Sequence, residues 1–404
     1  MLIEKSRRDK GDGSVYQRAN GTWVSEYTPP NAKTKYFTGK TEASVKKKLK
    51  EFKNGVIKNG YAEIKKITVK QYMDDWLNTV KINDLKKASS FDRKEATLEN
   101  QVYKHIGDFQ IGTLVQNDIQ KFINDLAEEE YSFSTIKKAY EAVNGCFKLA
   151  VIKGDMIKNP CLGVTLPSVL EKDDDDIRFF VDEQIEQICQ ESLSKYGNGK
   201  MVYRLGHAIV FLMYTGLRRG ELLALKWKDV DFEKKMIYIK KSSGMVKNRG
   251  KDASAPKNIL KEDKPKTKTS IRKVSLNEIA VSALQELRKI NGDHEYVMST
   301  ENGTVTLPRN IDRMFRNILI RCKLEPWGVH TLRHTFASMY IRQGGDILIL
   351  SKLLGHADIS ITYKTYIHLI DEQKEQAVSR LNDLYNPYMN PLAEDPITVD
   401  AIKL

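Results

Sequence analysis

The spacing of apolar residues changes along this chain, and it constrains the fold more than any other feature. Residues 67–165 keep a helical period throughout and show no strand pattern. Gly154 and Pro160 mark the end of the last helix in this region. The pattern predicts a domain of four or five helices whose apolar stripes form its core: Val69, Tyr72, Met73, Trp76, Leu77, Val80, Ile119, Phe122, Ile123, Leu126, Ile136, Tyr140, Val143, Phe147 and Val151.

The N-terminal region has strand periodicity instead. Residues 14–18 and 23–27 flank Asn20-Gly21, a strong hairpin signal, and a third strand is expected over 34–38. Thr41 can cap a following helix that is rich in lysine. Residues 1–60 are therefore predicted to form a three-stranded sheet with one basic helix, and residues 55–66 a linker.

From Arg178 onward the pattern is mixed, after a second linker that contains four consecutive aspartates, 173–176. Helices are expected near 181–193, 205–214 and 279–290, and strands at 236–239, 269–271 and 273–276. Residues 240–265 read as a loop or long hairpin. The predicted fold is multidomain and mainly α with small β-sheets: an α+β module (1–60), an all-α domain (67–168), a mixed α+β domain (178–385) and a tail (386–404).

The charge distribution indicates a polyanionic partner. The net charge is +13, and residues 1–66 and 239–273 each carry +9, whereas residues 371–404 carry −4. Such concentrated positive charge favours nucleic acid first and a membrane surface second. An N-terminal secretory signal, a membrane helix and a phosphate-binding Gly-x-x-x-x-Gly-Lys-Ser/Thr loop are not expected from this sequence.

The chain does not have the pattern of a metal or disulfide protein. Cys146, Cys161, Cys189 and Cys322 form no Cys-x-x-Cys pair and are expected to be reduced. The aspartate run lacks a second ligand cluster. We expect neither a metal nor a cofactor.

Six scattered residues can together break a phosphodiester bond: Arg218, Lys266, His330, Arg333, His356 and Tyr366. Two guanidinium groups can hold phosphate oxygens and stabilise a pentavalent transition state. Lysine and histidine can move protons, and a tyrosine can attack once cationic neighbours or a base activate it.

Each residue also has a simpler interpretation. Tyr366 is one of 18 tyrosines and could be a core aromatic residue, and Tyr363 is the obvious alternative nucleophile. His330 and His334 have the i, i+4 spacing of a zinc pair, but Thr331 stands where a metalloprotease needs glutamate, and Arg333 would repel the ion.

The wording of these segments resembles the tyrosine recombinase family, the phage-type integrases. Residues 215–222 match Thr-Gly-x-Arg-x-x-Glu-Leu; His330 and Arg333 match His-x-x-Arg, His356 ends Leu-Gly-His, and Tyr366 follows ten residues later. The family's lysine lies in wording such as Pro-Lys-Thr-Lys, which Lys266 fits, with Lys268 as the alternative. The resemblance is strong from Arg178 to about His368. The helical domain and the basic N-terminal module resemble the family only in the order and type of their domains.

The resemblance implies roles for these residues. Tyr366 forms a 3′-phosphotyrosine and frees a 5′-hydroxyl, Arg218 and Arg333 clamp the phosphate, and Lys266 is the general acid. His330 handles the tyrosine proton and His356 holds a phosphate oxygen. Glu221 supports Arg218.

The resemblance also implies an assembly. The helical (SAM-like) and catalytic domains bind core sites on double-stranded DNA, the N-terminal module binds arm sites, and a homotetramer exchanges strands between two duplexes. A phage or conjugative transposon would use such an enzyme in the bacterial cytoplasm at the nucleoid. An excisionase and a DNA-bending protein are candidate partners. The acidic tail is expected to pack on a neighbouring protomer.

Two alternatives remain at this point. A type IB topoisomerase uses the same tyrosine chemistry without exchanging partners, and the N-terminal module disfavours it. A non-catalytic DNA-binding regulator is disfavoured by the complete set of six residues.

Overall fold

The computed structural model describes residues 13–29, 33–59, 66–81, 88–167, 178–250, 254–263, 271–367 and 369. The chain divides into two compact units, residues 1–172 and 173–404. Lys266, Lys268, the aspartate run and the acidic tail lie outside the described residues.

The N-terminal sheet is antiparallel, with strands in the order β1 (Ser14–Gln17), β2 (Trp23–Tyr27) and β3 (Lys35–Gly39). Gly21 supplies the positive φ (+80°) that the first turn needs. Helix α1 (Glu42–Asn59) follows, and Ser25 Oγ donates to the carbonyl of Val45 at 3.0 Å, which joins sheet and helix. The predicted sheet-plus-helix module is confirmed.

The predicted linker over residues 55–66 is wrong in its first part. Helix α1 continues through Gly55 to Asn59. A glycine inside a helix costs only about 1 kcal/mol relative to alanine, so the contacts of the preceding turns can carry the helix through it. Residues 60–65 lie outside the described part of the chain.

The remainder of the first unit is helical, as predicted. Its helices are α2 (Val69–Trp76), which ends in a π-helical stretch (Leu77–Lys81), α3 (Ala88–Thr97), α4 (Tyr103–Ile106), α5 (Gln116–Glu128) and α6 (Phe133–Lys153). Thr68 caps α2 through a reciprocal pair of hydrogen bonds with Gln71. Gly154, at φ +76°, ends α6 as its spacing predicted.

The second unit combines helices with two small sheets. The helices are α7 (Asp182–Ser192), α8 (His207–Thr215), α9 (Arg219–Leu223), α10 (Glu278–Asn291), α11 (Pro308–Arg321), α12 (His330–Arg342) and α13 (Ile347–Leu354). A further helical segment covers 359–367. Asn277 caps α10 by accepting from the amide of Ala280 at 2.9 Å.

The strands of the second unit lie between α9 and α10. Strands β4 (Val230–Asp231), β5 (Met236–Ile239) and β8 (Arg272–Ser275) form one antiparallel sheet, and β6 (Ser242–Lys247) pairs with β7 (Asn258–Asp263) as a long hairpin. The hairpin was predicted. A strand over 269–271 is not confirmed, because Ile271 precedes β8 and the two residues before it lie outside the described range.

Each unit has its own apolar core. Phe122 and Phe147 lie at the centre of the helical unit, and α8, buried along most of its length, is central to the second unit. Among the described residues, no helix is long and apolar enough to cross a membrane. All four cysteines are unpaired.

The core of the helical unit gives a direct stability prediction. Phe147 in α6 is fully buried, so Phe147→Ala should lower the free energy of unfolding by about 3–5 kcal/mol, through lost transfer energy and a residual cavity. Ile152 in the same helix is 74% exposed, and Ile152→Ala should change it by about 0.5 kcal/mol or less. Urea denaturation measures both variants, and equal losses would contradict the packing described here.

Candidate active site

Arg218 lies in the turn between α8 and α9. Helix α8 ends at Gly216, whose φ of +63° suits glycine, and a Cβ there would lie 2.4 Å from the Phe336 ring. The chain then extends at Arg218, which precedes the first residue of α9. This geometry leaves the Arg218 side chain 36% exposed beside a buried core.

The carboxylate of Glu221 joins two arginines. Its oxygens accept from the backbone N (2.9 Å) and Nη1 (3.0 Å) of Arg218, and from Nη1 and Nη2 of Arg272, both at 2.9 Å. Burial alone would raise the pKa of Glu221, but the hydrogen bonds and charge of Arg272, and then those of Arg218, outweigh it and lower the pKa. Glu221 is therefore ionised and fixes both side chains.

Arg333 is almost fully buried, with 3% of its surface exposed. Its Nη1 donates to the carbonyl of Gly216 (2.9 Å) and its Nη2 to the carbonyl of Leu354 (2.7 Å). Arg218 Nη1 reaches the same Leu354 oxygen at 3.3 Å. The structure thus brings the two predicted clamp arginines to one oxygen atom.

The C-terminal end of α13 is the shared acceptor of these cations. Besides Leu354, the carbonyl of Leu353 accepts from Nε of Arg272 at 2.6 Å. Carbonyl groups at a helix C-terminus lack intrahelical partners and carry partial negative charge, which suits cationic donors. These oxygens are the kind of acceptor that a phosphate would present to the same arginines.

His356 follows α13 directly and contacts the clamp. Its Nε2 lies 2.8 Å from Nη2 of Arg333, and its Nδ1 lies 2.7 Å from Oγ1 of Thr362. Because a guanidinium only donates, Nε2 accepts and Nδ1 carries the proton. Burial, followed by repulsion from Arg333 and Arg218, lowers the pKa of His356 to about 4, so the ring is neutral near pH 7.

Tyr366 is buried, with 1% exposed, and its hydroxyl lies 2.8 Å from Nδ1 of His334. Burial raises the pKa of Tyr366, and the charge of Arg333 partly opposes that rise. Tyr363, the alternative nucleophile, is 44% exposed. The segment that holds Tyr366 also supplies Thr362 one turn earlier, so one helix reaches both His334 and His356.

His330 packs against His334 rather than against the tyrosine. The two rings meet edge to face, with centroids 4.8 Å apart. Burial, followed by His334 and Arg333, lowers the pKa of His330 to about 4. The sequence-based role of His330 as handler of the tyrosine proton therefore competes with His334, whose ring makes the contact.

Lys266 and Lys268 cannot be placed in this geometry. They fall between Asp263, the last residue of β7, and Arg272, the first of β8, and both lie outside the described residues. The role of Lys266 as general acid stays a prediction.

Sequence reasoning missed Arg272 and Thr362, and it considered His334 only as a metal ligand. Arg272 could have been noticed as a basic residue that opens an otherwise ordinary strand. Its partner Glu221 is 51 residues away, and no local pattern signals such a pair. Among the described residues, no group of three or more His, Cys, Asp or Glu side chains is arranged to hold a metal ion.

Comparisons with known proteins identify the family of this chain. The Phage integrase family matches residues 178–373, and its N-terminal SAM-like domain family matches residues 68–127. A tyrosine recombinase XerC-like protein of Caldanaerobacter subterraneus subsp. tengcongensis is 31% identical over 368 residues, which are 87% of this chain and 92% of the relative. The chain therefore belongs to the phage integrase family of tyrosine recombinases, enzymes that cut and rejoin DNA through a tyrosine intermediate.

Solved structures show the same fold. The Tn1549 transposon integrase in complex with transposon right end DNA matches with a TM-score of 0.63 at 23% identity, over 79% of this chain and 99% of that one. A lambda integrase tetramer bound to a Holliday junction matches with a TM-score of 0.54 at 15% identity, over 85% and 95%. At these identities the likeness concerns the fold.

The buried carboxylate gives a testable consequence. Glu221→Gln removes the charge between Arg218 and Arg272 and turns an amide N–H₂ toward a guanidinium. We expect unfolding free energy to fall by about 3–5 kcal/mol, because Arg272 keeps a buried charge that has lost its carboxylate. Glu278→Gln breaks the surface pair with Lys235 and should cost about 1 kcal/mol or less. Urea melts of the two variants measure the difference, and similar costs would refute the central role of Glu221.

Proposed function

We propose that this chain is a site-specific integrase that inserts and excises a mobile element, a phage or a conjugative transposon, through a 3′-phosphotyrosine. The observation that carries the proposal is the convergence of Arg218 and Arg333 on one backbone oxygen, with His356 in contact with Arg333, beside a buried tyrosine. Two guanidinium groups directed at one oxygen can bind the oxygens of a phosphate, and the family to which the chain belongs acts on DNA.

The clamp acts first. The scissile phosphate takes the place of the Leu354 carbonyl, so that Arg218 and Arg333 donate to its non-bridging oxygens. His356 holds one of these oxygens in the tautomer that carries its proton on Nε2, while Nδ1 accepts from the hydroxyl of Thr362. The guanidinium groups are fixed by Glu221 and by the Gly216 carbonyl before DNA arrives. Little reorganisation is then needed when negative charge develops in the pentavalent transition state.

Bond exchange follows. The oxygen of Tyr366 forms a bond to phosphorus while the bond from phosphorus to the 5′-oxygen breaks. A histidine of the site, His330 or His334, accepts the tyrosine proton, and Lys266 protonates the leaving 5′-oxygen. The phosphotyrosine link keeps the energy of the phosphodiester, so a second strand can rejoin without ATP. Neither a metal nor a cofactor has a step in this scheme.

The assembly is part of the same proposal. Residues 67–168 and 178–385 bind core sites on double-stranded DNA, and four protomers synapse two duplexes. The lambda integrase tetramer bound to a Holliday junction supports an assembly of four. The N-terminal module binds arm sites, which the lysines around α1 support: Lys46, Lys47, Lys48 and Lys50. An excisionase and a DNA-bending protein are candidate partners, and the bacterial cytoplasm, at the nucleoid, is the proposed location.

The nucleophile is tested with a nicked suicide duplex that spans the element's end. Wild-type protein and Tyr363→Phe should both give a covalent protein–DNA band on a denaturing gel. Tyr366→Phe should lower the yield by on the order of 10³ or more, because the attacking oxygen is gone. Loss of the band in Tyr363→Phe alone would move the nucleophile, and no band on DNA that the protein binds would favour a non-catalytic regulator.

Strand exchange separates an integrase from a type IB topoisomerase. With two duplexes that carry matching sites, one of them labelled, the proposal predicts labelled recombinant product of a new length. A topoisomerase would relax a supercoiled plasmid without making that product. Relaxation without exchange would therefore overturn the integrase assignment and keep the tyrosine chemistry.

A further inference from the structure

The hydroxyl of Tyr366 rests on a histidine that the sequence motif does not single out. Its oxygen lies 2.8 Å from Nδ1 of His334, the residue directly after Arg333 in α12. Arg333 is fixed by the carbonyls of Gly216 and Leu354. The group that faces the nucleophile is therefore attached to the most firmly held arginine of the clamp.

The direction of this hydrogen bond follows from the environment of its two partners. Burial raises the pKa of Tyr366, so the phenol keeps its proton and donates it. Burial, and then the charge of Arg333, lowers the pKa of His334, so the imidazole is neutral and can accept at Nδ1. A hydroxyl that donates to a neutral imidazole has the resting arrangement of a nucleophile and its base.

His330 lies further than His334 from the hydroxyl oxygen of Tyr366. It lies one turn before His334 on α12. Its ring contacts the His334 ring in an edge-to-face arrangement and does not contact the phenol. The ring of His334 is also close to that of Tyr366, with centroids 6.0 Å apart. In the described site, His334 thus separates His330 from the tyrosine.

Two neighbouring contacts favour a functional pair over an ordinary buried hydrogen bond. Thr362 and Tyr366 lie four residues apart on one helical segment, and they contact His356 and His334 respectively. The same segment therefore aligns a phosphate-holding histidine and the nucleophile at once. A tyrosine buried only for packing would need a partner for its hydroxyl, but not one next to the clamp.

We propose that His334, rather than His330, is the general base that accepts the proton of Tyr366 during DNA cleavage. This inference rests on the proposed function. As the tyrosine oxygen bonds to phosphorus, its proton passes to Nδ1 of His334, the bond from phosphorus to the 5′-oxygen breaks, and Lys266 gives that oxygen a proton. On rejoining, the 5′-hydroxyl returns its proton to Lys266 and the departing tyrosine recovers its own from His334.

The first test compares His334→Asn with His330→Asn in single-turnover cleavage of the suicide duplex. An asparagine amide oxygen can replace Nδ1 as a hydrogen-bond acceptor but does not take a proton near neutral pH. The base role predicts that His334→Asn slows cleavage about 10²–10⁴-fold and that His330→Asn slows it less. Near wild-type cleavage by His334→Asn, or a larger loss in His330→Asn, would overturn the inference.

A second test separates proton transfer from positioning. Fluorinated tyrosine at position 366 has a more acidic phenol and depends less on a base. In the His334→Asn background it should restore cleavage at least about tenfold, whereas in wild-type protein it should change the rate little. No recovery in the asparagine variant would assign His334 a positioning role only. Unfolding midpoints of the variants, compared with wild type, show whether each is folded.

A third experiment tells whether His334 acts as the base or as the acid. It also separates failure of this inference from failure of the proposed function. A substrate with sulfur in place of the bridging 5′-oxygen has a better leaving group, so it should rescue Lys266→Ala but not His334→Asn. Rescue of His334→Asn by sulfur would place His334 on the leaving-group side and refute the inference. A wild-type protein that forms no adduct would instead contradict the proposed function.

Discussion

The buried carboxylate of Glu221 is the interaction on which the rest of the site depends. It accepts four hydrogen bonds, two from Arg218 and two from Arg272, and both Glu221 and Arg272 are shielded from solvent. Isolated charges at such depth would be strongly unfavourable, so each group requires the other. The pair also connects α9 to β8, and the Arg272 bond to Leu353 connects β8 to α13.

This arrangement explains how the protein keeps three arginines close together. Arg218, Arg272 and Arg333 repel one another, and that repulsion contributes to lowering the pKa of Arg333 once burial has acted. The carboxylate of Glu221 and the carbonyl groups at the end of α13 offset part of it. A phosphate can replace the carbonyl groups at the end of α13 as the acceptor, because a phosphate is a stronger acceptor than a backbone carbonyl. The site thus holds its arginines in place and attracts an oxygen anion.

The sequence predicted the elements better than their contacts. Helical periods located α5 and α6, the Asn-Gly pair located the first hairpin, and Gly154 marked the end of α6, because each of these signals is local. Helix α1 was cut short at Gly55, since a glycine weakens a helix without always ending it. The long-range pairs could not be derived in this way: Glu221 meets Arg272 across 51 residues, and Tyr366 meets His334 across 32.

The candidate residues divide in the same manner. Four of the candidates could be proposed from the sequence: Arg218, Arg333, His356 and Tyr366. Each step of the reaction needs a particular side chain, and the family's sequence motifs gave its position. The partner of the tyrosine proton could not, because His330 and His334 lie on one helix face and only the fold decides which ring the phenol meets. The spacing of four residues is that of a zinc pair, which the neighbouring residues argued against, and packing places the two rings edge to face beside the nucleophile.

The contacts also indicate which part of the site must move. An attacking oxygen has to come within about 3–3.5 Å of phosphorus, yet Tyr366 is 1% exposed. Disrupting the clamp would break a buried ion pair, at about 3–5 kcal/mol, besides several charged hydrogen bonds. Exposing the aromatic side chain of Tyr366 costs less, about 1.5–3 kcal/mol, and the base role requires that its hydroxyl stays in contact with Nδ1 of His334 as it moves. The clamp therefore stays in place, and DNA binding supplies the energy that moves the helical segment carrying the tyrosine.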